Sequence, residues 1–148
     1  IAHVGDSRLY RLRDARLEQL TRDHTLLQEL VDRGLYTKQE AKQSLNKNLV
    51  TRAVGVNPAV EVDLMEDMAV PQDIYLLCSD GLTDMIDDNL IEDCIRNYRS
   101  NLDRAAAELI KQAKAHGGKD NVSAILAMPV KAFPTNSGWL SKIFELFS

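Results

Sequence analysis

Residues 79–84 read Ser-Asp-Gly-Leu-Thr-Asp, so Asp80 and Asp84 stand four positions apart directly after the apolar run Ile74-Tyr75-Leu76-Leu77-Cys78. No Lys or Arg lies between Gln72 and Asp84 to neutralise them. Carboxylates brought together without a cation raise each other's pKa, and solvent or a bound metal relieves the strain. The arrangement recurs twice. Gly5-Asp6-Ser7 follows the apolar start at Ile1, Ala2 and Val4, and Gly117-Gly118-Lys119-Asp120 precedes the apolar run from Val122 to Met128. Acids beside glycine at three strand ends suggest convergent oxygen ligands, a hard site suited to Mg²⁺, Mn²⁺ or Ca²⁺ rather than Zn²⁺. A lone Asp-Gly is also an ordinary turn, so the repetition carries the reading.

Positioning these acids requires strands that end on them. Residues 74–78 are short and apolar enough to read as a strand buried on both faces, with Gly81 allowing a sharp turn after it. Residues 1–4 and 8–13 are expected strands around the first Gly-Asp turn, and Asp14-Ala15 is a hairpin turn leading into residues 17–20. Residues 49–54 have strand character. Val60, Val62 and Leu64 alternate with Glu61 and Asp63, which predicts a half-buried strand. Residues 122–128 give the last strand. Helices are expected over 25–33, closed by Gly34, and from the capping box Thr37-Lys38-Gln39-Glu40. A polar, mobile stretch follows over 43–48. Two further helices are expected, one after a cap at Asp87 or Asp88 and one from Asn101 to Gly117. This order is α+β with mostly antiparallel strands.

The chain has 148 residues, 45% hydrophobic and 27% charged, with net charge −4. That suits one soluble domain or part of one, and it argues against a large nucleic-acid footprint. Cys78 and Cys94 lack CxxC or finger spacing and read as buried thiols in a reducing, cytoplasmic setting. No apolar run approaches the ~20 residues that span a membrane. Because the chain opens on Ile1 inside a strand pattern, an upstream part is expected to be missing; processing is the alternative. In the tail, Trp139, Leu140, Ile143, Phe144 and Phe147 share one helical face, either docking on a membrane surface or partner, or covering the chain's own apolar surface.

Five segments in order, Val4-Gly5-Asp6-Ser7-Arg8-Leu9-Tyr10, Leu20-Thr21-Arg22-Asp23-His24-Thr25, Leu49-Val50-Thr51-Arg52-Ala53-Val54-Gly55, Leu76 to Asp84, and Gly118-Lys119-Asp120-Asn121-Val122-Ser123, resemble the PPM, or PP2C-type, metal-dependent protein phosphatases of the bacterial serine/threonine branch. The resemblance implies part of an antiparallel β-sandwich flanked by helices, with its N-terminal strands missing. Residues 1–130 would be the C-terminal portion of that domain, 25–48 its flap-like insertion, and 131–148 an amphipathic tail. It also implies hydrolysis of phosphoserine and phosphothreonine in proteins by a metal-activated water, opposing a serine/threonine kinase. Mn²⁺ or Mg²⁺ would be the cofactor, two per complete site and a third in many bacterial members.

On this resemblance Asp80 and Asp120 are ligands of the metal pair, and Asp6 and Asp84 join Asp80 around the additional metal. The family's bridging acid, phosphate-binding Arg and proposed general-acid His have no counterpart among these residues, so little activity is expected from the chain alone. Arg8 and Arg52 are read as structural ion-pair formers, with phosphate contact as the other option. His24 is read as a structural hydrogen-bonding group and His116 as a helix C-terminal residue. The alternative function is a non-catalytic pseudophosphatase or phosphoprotein-binding module, against which the retained acids speak.

Overall fold

The computed structural model describes residues 1–44 and 49–131. In chain order the elements are β1 (Ala2–His3), β2 (Arg8–Arg13), β3 (Arg16–Gln19), α1 (Leu26–Asp32), α2 (Lys38–Gln43), β4 (Asp63–Leu64), β5 (Ile74–Cys78), α3 (Asp80–Thr83), α4 (Asp88–Asn97), α5 (Leu102–Ala115) and β6 (Ala124–Ala127). A four-stranded sheet has the order β3-β2-β5-β6, and β1 pairs with β4 in a second, two-stranded sheet. Every pairing is antiparallel. The architecture is therefore α+β, as the sequence pattern predicts.

The β2–β3 hairpin turns on Asp14 and Ala15, both at positive φ (49° and 61°). Two left-handed residues give the turn whose twist matches the strands it joins. One face of the large sheet carries Tyr10, Leu12, Ile74, Leu76 and Cys78 into the core, where Ile91 and Ile95 of α4 and Leu109 of α5 cover them. Each such aliphatic side chain contributes roughly 1.5–3 kcal/mol through burial. The helices start where their caps are: the Asp87 carboxylate accepts from the Leu90 amide at 2.9 Å, and the Asn101 side chain accepts from the Arg104 amide at 2.9 Å. Thr25 caps α1, and Thr37 with Glu40 forms a reciprocal capping box on α2.

Three sequence expectations change. Strand β5 is buried on one face only: Leu77 is 46% exposed, and its β6 partner Ile125 is 64% exposed. Residues 49–54 are not a strand: Val50 makes one isolated antiparallel bridge to Thr25, and because α1 begins at Leu26 no extended partner continues the ladder. The Leu26 amide donates to the Leu49 carbonyl, and the Thr51 amide to the His24 carbonyl. Of the alternating stretch ending at Leu64, only Asp63 and Leu64 pair with another strand, because β1 offers just Ala2 and His3 as partners. The amphipathic tail lies outside the described residues from Ala132 onward, as does residues 45–48 of the expected flap. Among the described residues no helix is long and apolar enough to cross a membrane.

Candidate metal centre

Asp80 is the first residue of α3 and Asp84 its C-cap, whose amide donates to the Asp80 carbonyl at 2.8 Å. One helical turn thus brings both acids to the same face. The Ser79 hydroxyl makes no helix cap. It donates instead to the Asn121 carbonyl at 3.0 Å and accepts from the Ser123 amide at 3.1 Å. The start of α3 is thereby laced to the turn that carries Asp120. Gly81 is helical and buried, not the sharp turn expected of it.

Asp6 arrives from the other direction, in the turn between β1 and β2. Its backbone frame is held by residues 20–25. The Leu20 amide donates to the Leu9 carbonyl, the Leu9 amide to the Thr21 hydroxyl, and the His24 amide to the Gly5 carbonyl at 2.8 Å. Burial pushes the Asp6 carboxyl above its ordinary range, and the charge on Asp80 pushes it further. Its own backbone hydrogen bond and Arg8 offset part of that rise.

Asp6, Asp80 and Asp84 line a single cavity of about 690 Å³, together with Thr83 and residues of α1 and α2. Asp120 is exposed and stands outside this lining, its carboxylate accepting from the Asn121 amide at 2.6 Å. Three of the four sequence-derived acids thus share one cavity, while the fourth is tied to its rim through Ser79. The donor set fits a hard divalent cation: oxygen atoms only, half-buried, with Asp80 close enough to act on the charge of Asp6. Such an ion, when bound, would make a water acidic enough to attack at neutral pH and would offset charge on phosphoryl oxygens.

Arg8 also lines the cavity but is committed elsewhere. Its guanidinium donates to both Asp23 oxygens, the shortest contact being 2.6 Å, and to the Tyr10 hydroxyl at 3.1 Å. Tyr10 donates in turn to Asp88 at 3.0 Å. Arg52 pairs with Asp63 at 2.6 Å. Both arginines are therefore the ion-pair formers expected from the sequence. His116 is the C-cap of α5, as expected. Sequence reasoning missed the Asp23–Arg8–Tyr10–Asp88 chain, along with Asp87 and Asp88 on the cavity wall; no local pattern marks contacts between residues so distant along the chain.

The family described as Protein phosphatase 2C matches residues 1–122. The serine/threonine phosphatase stp of Listeria welshimeri is 43% identical over 126 residues, covering 85% of this chain and 50% of that protein. The crystal structure of the Mycobacterium tuberculosis serine/threonine phosphatase PstP/Ppp superposes with a TM-score of 0.82 at 39% identity, covering 89% of this chain and 54% of that one. The catalytic domain of PstP in complex with two manganese ions superposes with a TM-score of 0.72 at 39% identity, covering 86% and 51%. The chain spans about half the length of the Listeria relative and of both solved structures.

Proposed function

The chain belongs to the protein phosphatase 2C family, and from that premise we propose that it forms the C-terminal part of a metal-dependent protein serine/threonine phosphatase. Its substrates are phosphoserine and phosphothreonine in proteins, set there by an opposing kinase. Its ions are Mn²⁺ or Mg²⁺. In this reading Asp80 and Asp120 hold the metal pair, and Asp6 and Asp84 join Asp80 around a further ion. The observation that carries it is the meeting of Asp6, Asp80 and Asp84 in one cavity.

The chain's own residues then divide the work. The aspartates collect the cations. Asp23 and Tyr10 engage the Arg8 guanidinium within the cavity wall. The helix pair α1–α2, lining the same cavity, contributes to the choice of substrate. A cytoplasmic setting suits the two buried free thiols.

The 148 residues alone are expected to turn over little, because the resemblance puts the bridging acid in a segment they do not contain. Phosphate release from a phosphothreonine peptide with Mn²⁺ tests this, and full turnover by the purified chain would overturn that division of parts. Mn²⁺ titration tests the ligands: D80N and D120N should each weaken binding, and unchanged affinity in both would overturn the metal assignment.

A further inference from the structure

His3, His24 and Asp63 bring three ligand-type atoms within 4.8 Å of one another. They come from paired backbone, since His3 of β1 lies directly opposite Asp63 of β4. Hydrogen-bond polarity decides against a cation among them. The Gly5 amide points at Nδ1 of His24 at 3.1 Å, so the proton of the neutral ring sits on Nε2, facing Asp63 Oδ2 at 3.0 Å. A metal at Nε2 would need the opposite tautomer. The Arg52 guanidinium already stands there, donating to Asp63 Oδ1 at 2.6 Å; its 3.2 Å approach to Nε2 brings two donors together and is no hydrogen bond in this tautomer.

The same polarity gives the cluster a different use. Both backbone groups of Gly5 are tied to His24: its amide to Nδ1, its carbonyl to the His24 amide. On the far side of Asp6, the Ser7 carbonyl accepts from Nε2 of His3 at 2.8 Å. The two rings pack with centroids 4.8 Å apart. Two touching imidazoles therefore grip the residue before Asp6 and the residue after it. Gly5 itself sits at φ +104°, a region open to few residues but glycine, so the turn needs outside support to hold one shape. Asp80 repels Asp6, and an unsupported turn would let Asp6 swing away.

We propose that His24 is a positioning residue that holds the Gly5-Asp6-Ser7 turn, and with it the Asp6 carboxylate, beside Asp80 for divalent-cation binding, with Asp63 fixing the tautomer this requires. The inference rests on the reading of Asp6 as a metal ligand. It assigns His24 no contact with ion or substrate.

The test is Mn²⁺ titration of the purified chain, with free Mn²⁺ followed by electron paramagnetic resonance. H24N keeps an acceptor where Nδ1 was, whereas H24Q and H24A do not. H24Q and H24A should weaken binding about tenfold, the scale of losing an outer partner of a metal ligand, while H24N restores most of it. D63A removes a half-exposed partner, at little risk to folding, and should give a smaller loss in the same direction. Equal affinity in H24N and H24Q, or wild-type affinity in H24Q and D63A, would overturn the inference while leaving Asp6 a ligand. D6N serves as the reference: if it binds Mn²⁺ like the wild type, the ligand assignment fails, and the positioning role fails with it.

Discussion

Gly81 sits so close to Asn121 that a Cβ placed on it would lie 2.3 Å from the Asn121 carbonyl oxygen. The obstacle is backbone, which cannot swing aside as a side-chain tip can. G81A must therefore push the start of α3 away from the turn carrying Asp120. A loss of about 1–3 kcal/mol is expected, as for other overpacked sites. Thermal denaturation measures it. Mn²⁺ affinity should fall as well, since Asp80 and Asp120 flank the contact; an unchanged melting temperature would contradict the geometry.

Ion binding to the acidic cavity should stabilise the native chain by mass action, about 2.7 kcal/mol at a concentration of one hundred times Kd. The melting temperature should rise with added Mn²⁺ and return on chelation with EDTA. In D80N the rise should largely disappear. An equal rise in D80N and wild type would show that the ion binds elsewhere.

Asp73 is 2% exposed, and its hydrogen bond from Arg13 holds its carboxyl below the usual value of 3.8. A depressed carboxylate contributes stability that is present above its unfolded pKa and lost as pH falls through its folded one. The wild type should weaken progressively on acidification below about pH 4. D73N should be weaker at neutral pH, because Arg13 loses its partner, and should change less on acidification. Urea midpoints across that range decide the matter, and parallel curves would rule Asp73 out as a source of the acid loss.

Burial pushes the Cys78 thiol up to about 12; burial, with Glu108 nearby, pushes Cys94 to about 11. The thiolate is the reactive form. Neither cysteine should react with a disulfide reagent at pH 8 in the folded chain, and both should react in urea. Rapid labelling of Cys78 in the native state would mean that the core beneath α4 opens readily.

What could be read from the sequence was local. The strands Arg8–Arg13 and Ile74–Cys78 appear where expected, because their apolar runs are bounded by nearby turn residues. The capping box at Thr37, the choice of Asp87 or Asp88 as a cap and the helix start at Asn101 were legible for the same reason, each bond spanning three residues, whereas Thr25 was read as the first helical residue and is the cap of α1. Residues 49–54 misled because a strand needs a partner that stays extended, and theirs turns into α1 directly after Thr25. Gly81 was recognised as necessary for the wrong cause: its constraint is a carbonyl forty residues away. Three of the acids, Asp6, Asp80 and Asp120, were visible as a repeated Asp-and-glycine pattern, and Asp84 by its spacing from Asp80. His24 was legible as a structural hydrogen-bonding group, but its contacts with His3 and Gly5 were not, since they exist only once β1, β4 and the loop before α1 have met.

Among the described residues, the wall of the cavity sets six carboxylates, Asp6, Asp23, Asp80, Asp84, Asp87 and Asp88, against the guanidinium of Arg8, which Asp23 already engages. A phosphorylated side chain carries close to two negative charges at neutral pH. Such a guest would meet like charge along that wall until cations offset it. Charge alone thus makes the reception of any anion there depend on cations already in place.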